Sequence, residues 1–281
     1  MARNREPGEA DRYRDPEVMQ AMLRGWRALG MRDVYPHMAP ARAVGALPPY
    51  REESVAEFLN QAERVGGLRV WPWIGGVLER DVRPGDSAWR RAYVADVAAL
   101  LDDHPRLAGV HLNVEPWPTG NTDMLQLLEE LRAAMPDGAK LSVAAYPPPT
   151  LWHPHPEVHW EPEYLREVAQ RCDQVAVMMY DTSIRFDKFY VRLMSQWTRE
   201  ILSATDGTGC EVLLGLPAYE DEGVAYHQPE VENLRNGLRG VHAGLGGLPA
   251  LPDHYRGTAV YSGWTMDDQE KALWRSGFQK P

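Results

Sequence analysis

The sequence predicts an α/β fold of the (β/α)8 TIM-type barrel class, with its first strand missing or atypical. Three observations predict it. Short apolar runs alternate along the chain with amphipathic stretches of ten or more residues, the pattern of parallel strands joined by helical crossovers. Several of the runs, Gln174 to Tyr180 above all, carry almost no polar residue, as expected when both faces of a strand are buried. Polar and aromatic residues collect at the carboxyl ends of the runs, where such barrels keep their chemistry. A doubly wound open sheet is the competing class, but neither a G-x-G-x-x-G fingerprint nor a P-loop lysine occurs. At 281 residues the chain is long enough for two average domains, yet a barrel uses roughly 250 residues as one unit. The division expected is therefore a polar extension over 1–16 and one barrel domain over 17–281.

The elements follow in order. Glu17 to Leu29 reads as a helix, with Met19, Met22, Leu23 and Trp26 at spacings of three and four, stopped by Gly30. Val34 to Met38 is the first strand. A helix from Glu52 to Val65 ends at Gly66-Gly67, and Leu68 to Ile74 is the second strand. Ser87 is expected to cap a helix carrying Trp89, Tyr93, Val94, Val97 and Leu101, and Leu107 to Val114 is the third strand. Thr122 to Met135 is a leucine-rich helix closed by Pro136-Asp137-Gly138, before a strand from Leu141 to Tyr146. The helix at Pro162 to Arg171 precedes the strand ending at Tyr180, and the helix at Tyr190 to Ala204 precedes a strand from Glu211 to Leu216. A Gly-interrupted helix over Val231 to Leu245, a last strand over Thr258 to Trp264 and a helix from Asp267 to Trp274 complete the series. That makes seven strands, with a helix ahead of the first.

Composition narrows the function. Forty acidic against thirty basic residues give a formal charge of −10, which disfavours a nucleic-acid groove or an anionic membrane surface. No apolar run approaches the ~20 residues of a membrane span. The opening stretch, Met1 to Glu17, is charged and lacks the apolar centre of a signal peptide, so the chain as written carries no export address; a start further upstream would change that, and the compartment stays open. Cys172 and Cys210 are too few for a multi-thiolate zinc site or a four-cysteine iron–sulfur cluster. Each precedes a strand, so a bridge between neighbouring strands is one reading and two buried free thiols the preferred one. His153, His155 and His159 alternate with prolines and lack helical ligand spacing, so no metal and no cofactor is expected. Oligomeric state is not legible.

The strand ends supply the candidate site. By period-two alternation His111, Asn113 and Glu115 share one face, which can point into a barrel. Other ends carry Trp73, Tyr146, Tyr180-Asp181, Tyr219-Glu220, and Tyr261 with Trp264, and Trp117 follows Glu115-Pro116. Aromatic faces stack on sugar rings, and carboxylates protonate or attack at a glycosidic bond. Lysine and arginine are missing from these ends, which disfavours phosphoryl substrates. A neutral, polyhydroxylated ligand is the expectation. Each aromatic also has a plainer role open to it, as barrel core for Trp71, Trp73 and Tyr146 or as rim cover for Trp117.

These residues also resemble a family. Ala108-Gly109-Val110-His111-Leu112-Asn113-Val114-Glu115 is similar to the D-G-x-D-x-D-x-E signature of glycoside hydrolase family 18, the chitinase group. Trp73-Ile74-Gly75-Gly76 resembles its S-x-G-G, Met178-Met179-Tyr180-Asp181 its M-x-Y-D, and Gly215-Leu216-Pro217-Ala218-Tyr219 its G-x-P-x-Y. Trp264 falls where the floor tryptophan of the last strand would lie. The resemblance spans Val34 to Trp264 and implies cleavage of N-acetylhexosamine chains with assistance from the substrate's acetamide. It implies Glu115 as general acid, Tyr180 as hydrogen-bond partner of the acetamide, Asp181 in the supporting polar network and Trp264 under the sugar. Asn113, His111 and Ala108 stand where the family has aspartates. An amide can orient an acetamide but cannot neutralise the cationic intermediate, a loss worth several kcal/mol in a dry site.

Two other readings are therefore carried. Asn113-x-Glu115-Pro116 loosely resembles the N-E-P of other barrel glycosidases, with Glu220 as second carboxylate about 5–5.5 Å away in a retaining pair. A carbohydrate-binding barrel without catalysis is the other, since an aspartate replaced by asparagine suits a retired enzyme that still holds its ligand.

Overall fold

The computed structural model describes residues 15–47, 52–151, 153–220 and 226–277. Of the expected polar extension, 1–14 lie outside the described residues. The chain alternates strand and helix throughout: α1 (Pro16–Ala28), β1 (Asp33–Val34), β2 (His37–Pro40), α2 (Glu52–Val65), β3 (Arg69–Val70), β4 (Trp73–Gly76), α3 (Ser87–Asp103) and β5 (Gly109–Val114). There follow α4 (Thr122–Ala134), β6 (Lys140–Ala145), α5 (Pro162–Ala169), β7 (Gln174–Met178), α6 (Asp187–Ala204), β8 (Glu211–Pro217), α7 (Leu234–Leu245), β9 (Tyr255–Tyr261) and α8 (Asp268–Gly277). A seven-stranded, all-parallel sheet runs β2-β4-β5-β6-β7-β8-β9, and β1 pairs with β3 beneath its first two members. The two early strands are each broken by a proline, Pro36 and Pro72, which has no N–H to give the ladder. The ladder nonetheless passes through both breaks, from Trp71 N to Val34 O at 2.9 Å and from Trp73 N to Pro36 O at 2.8 Å.

The seven expected strand positions are all present. The differences lie at the ends of elements. Asp86, not Ser87, caps α3: it sits one residue before the first helical turn with an extended backbone, and its carboxylate accepts from the backbone N–H of Ala88 and Trp89. The glycine-rich helix begins at Leu234, capped by Asn233, rather than at Val231. Its glycines allow a close helix crossing: a Cβ at Gly240 would lie 2.3 Å from the Met194 Cβ on α6. The last strand ends at Tyr261 rather than Trp264, since its partner β8 ends at Pro217 and no neighbour remains to pair with. Trp264 therefore stands in the turn after β9.

Inside the sheet a polar layer crosses several strands. His111 Nδ1 lies 2.8 Å from Ser142 Oγ, and both Ser142 and Tyr35 donate to Gln174 Oε1, at 2.9 and 2.7 Å. The registers His111↔Ser142 and Ser142↔Gln174 put these residues at one level, as layers form in a closed barrel. Among the described residues β9 and β2 do not pair, so the ring has a seam. Helix α1 and the chain end bridge it: Trp26 Nε1 donates to Gly263 O at 3.1 Å and Trp274 Nε1 to Leu29 O at 3.2 Å. Cys172 and Cys210 are free thiols, with sulfurs 3.8 Å apart at the starts of neighbouring strands. Among the described residues no helix is long and apolar enough to cross a membrane.

Candidate active site

Glu115 follows the last residue of β5 and is held by its backbone, whose N–H donates to Gly76 O at 3.1 Å. The ends of β4 and β5 approach closely. Gly75 adopts φ +130° and an added Cβ would meet Asn113 O at 1.9 Å, so only glycine fits there. The Glu115 residue is exposed to water at the carboxyl end of β5, with protein packed closely around its carboxyl. Removal from bulk solvent raises its carboxyl above the usual range. A hydrogen bond from Asn113 works the other way, and the charge of Asp181 adds to the rise. The tyrosines Tyr146 and Tyr180 feel the Glu115 charge as well, and burial pushes both phenols far up, so they remain hydroxyl donors at any working pH.

A second group of residues faces Glu115 from the ends of β7 and β8. Asp181 adopts a left-handed backbone at φ +60°, tolerable for an aspartate, which turns the chain directly after Tyr180. Its Oδ1 accepts a short hydrogen bond from the Tyr219 hydroxyl and stands 3.2 Å from His227 Nδ1. Glu232, wholly buried, accepts from Thr182 N at 2.8 Å. Burial raises its carboxyl to about 7. Burial alone would lower His227, but Asp181 and Glu232 outweigh it and the imidazole is held above its ordinary value. Tyr180 stacks on Tyr261 with ring centroids 5.8 Å apart, Tyr219 meets Tyr261 edge-on at 5.4 Å, and Trp264 meets Tyr261 at 6.1 Å. Tyr261 and Trp264 are both exposed large rings, at 46% and 42%.

The structure thus brings together Asn113, Glu115, Tyr146, Tyr180, Asp181, Tyr219, Tyr261 and Trp264. Trp73 is half-buried and packs at a tilt against His37, ring centroids 4.5 Å apart, two residues below Gly75 on its strand. Other expected residues lie elsewhere. Trp117 is fully buried, donating to the Tyr164 hydroxyl at 2.7 Å and packed edge-on to Trp160, so it is a packing group and not part of the cleft wall. His111 is in the polar interior layer, its imidazole driven down to about 3 by burial. Glu220 is exposed and its electrostatic neighbour is Glu270, whereas the carboxylate acting on Glu115 is Asp181. Trp71 is barrel core, its Nε1 donating to Asp33 Oδ1 at 2.7 Å. His227 and Glu232 were not legible as site residues: neither falls in a motif, and only the topology carries their loop to Asp181.

No family model matches the chain, and no curated protein matches it by sequence. Solved structures do match. A chitinase from Chromobacterium violaceum ATCC 12472 superposes with a TM-score of 0.63 at 16% identity, over 93% of this chain and 95% of that one. The C-terminal domain of a putative chitinase from Desulfitobacterium hafniense DCB-2 gives 0.65 at 15% identity, covering 95% and 97%. The spore cortex-lytic enzyme SleL of Bacillus cereus gives 0.64 at 12%, covering 94% and 71%. The fold is that of the chitinase-like barrels. At these identities the likeness shows the fold, and the barrel here differs from a closed ring by its seam between β9 and β2 among the described residues.

Proposed function

We propose that the protein is a glycoside hydrolase acting on a polysaccharide or glycoconjugate that contains N-acetylated sugars, with Glu115 as general acid. The observation that carries this reading is the environment of Glu115: a cleft carboxyl raised by desolvation and by a neighbouring carboxylate, as a proton donor near neutral pH requires. Around it the geometry supports distinct roles. Asn113 hydrogen-bonds the acid. Tyr180 and Tyr146 offer hydroxyls to a carbonyl oxygen, and Asp181, oriented by Tyr219, provides the negative charge that residue 113 lacks. Tyr261 and Trp264, each part exposed, offer aromatic surface to a pyranose. One barrel domain over 17–281 contains all of these. A non-catalytic carbohydrate-binding barrel is the second reading, favoured by the amide at Asn113.

The experiment is reducing-end release from a panel of defined polysaccharides, with the wild type and Asn113→Asp side by side. Release from N-acetylated substrates, raised in Asn113→Asp, is expected for acetamide assistance. Saturable binding without release by either protein would establish the binding barrel instead.

A further inference from the structure

We propose that Asp181, His227 and Glu232 form a binding site for a divalent cation of the zinc class, ligated by His227 Nδ1 and one oxygen of each carboxylate. The three donors come from two separate loops, and their atoms all lie within 4.8 Å of one another. His227 is fully buried as a side chain, and its Nε2 lies 3.1 Å from Tyr219 O. A carbonyl can only accept, so Nε2 carries a proton, and Nδ1 on the inner side holds either a second proton or, in the neutral ring, a lone pair free to bind a cation. Nδ1 stands 3.2 Å from Asp181 Oδ1 and 3.9 Å from Glu232 Oε2, both carboxylate oxygens. Glu232 Oε1, also buried, has no hydrogen-bond partner among the described residues. A lone pair between two carboxylates calls for a positive centre.

The spacing and chemistry fit a small, borderline-soft ion. Ligand atoms about 2.0–2.1 Å from a tetrahedral zinc stand about 3.3 Å apart, which the His227–Asp181 separation already meets and the Glu232 separation nearly does. An imidazole with two carboxylates suits zinc, whereas calcium and magnesium prefer oxygen alone. Each ligand is fixed from behind: the imidazole by Tyr219 O, Asp181 by the Tyr219 hydroxyl, and Glu232 by Thr182 N. With both carboxylates ionised and the imidazole neutral, the forms that ligate a metal, the three donors sum to −2, the complement of a divalent ion, and binding would displace the protons these groups otherwise hold. Three protein ligands leave a fourth position. Of the three ligands Asp181 alone is part exposed, the side from which water could reach that position.

The inference does not rest on glycosidase activity and is tested without it. The full chain, stripped with EDTA and dialysed, is titrated with Zn²⁺ by calorimetry and with Co²⁺ by visible absorption. One equivalent of zinc and the cobalt bands of a low-coordinate site are expected. Affinity should fall by at least about 100-fold in His227→Ala and Glu232→Gln, and stay unchanged in His153→Ala. Absence of binding in the wild type, or wild-type affinity in a folded His227→Ala or Glu232→Gln, would overturn the proposal. Should neither variant fold, the nitrogen-15 spectrum of the zinc-treated wild type decides. A His227 ring with protons on both nitrogens means that a proton, not a metal, fills the gap.

Discussion

Glu115 is poised by neighbours of opposite effect, and their balance is measurable. Because desolvation and Asp181 raise its carboxyl, the protonated acid persists to higher pH than in a free glutamate, and under the proposed mechanism kcat/KM should fall as pH rises through that raised value. Asp181→Asn removes one of the raising charges, so the alkaline limb of the residual activity should move to lower pH; a limb that stays in place would separate Asp181 from the acid. Two tryptophans near the same cleft should part company. Trp117→Ala empties a fully buried, hydrogen-bonded position and should cost about 3–5 kcal/mol in urea unfolding. Trp264→Ala, at a ring 42% exposed, should leave the unfolding midpoint nearly unchanged and weaken oligosaccharide binding. The sequence could not distinguish them, since each follows a strand end and only the partners Tyr164 and Trp160 mark Trp117 as packing.

Among the elements, alternation was the strongest signal and ends the weakest. Strands buried on both faces read as apolar runs, and every run placed in the sequence has a strand at its position. The proline breaks in the first two crossings left no trace in the apolar pattern, because the ladder continues around them. The last strand misled in the opposite sense: the apolar run extends to Trp264, but pairing stops where β8 stops. Gly75 shows how an element delivers a site residue. Its missing side chain lets β4 approach the Asn113 backbone, so Gly75→Ala forces the strand ends apart. Loss of stability together with a large fall in activity is expected, read by urea melts and reducing-end assays; a variant of wild-type stability would contradict the close approach.

In the molecule as a whole, seven strands form most of a ring, and the remaining seam is spanned by α1 and the chain end. Trp274 is 3% exposed and ties α8 to Leu29 across that seam. Trp274→Ala should lower stability by about 3–5 kcal/mol, and Trp274→Phe, which loses chiefly the hydrogen bond, by about 1 kcal/mol. Equal losses would assign the contribution to the hydrogen bond alone. The site was legible where it lies on strand ends in sequence order, and illegible where a loop returns to it, as His227 and Glu232 do. The central claim is a proton donor in a carbohydrate cleft, and Glu115→Gln tests it most directly. Turnover and oligosaccharide affinity are measured on the same protein: loss of at least about 100-fold in kcat with affinity within about tenfold of wild type is predicted. Wild-type turnover by Glu115→Gln would contradict the account.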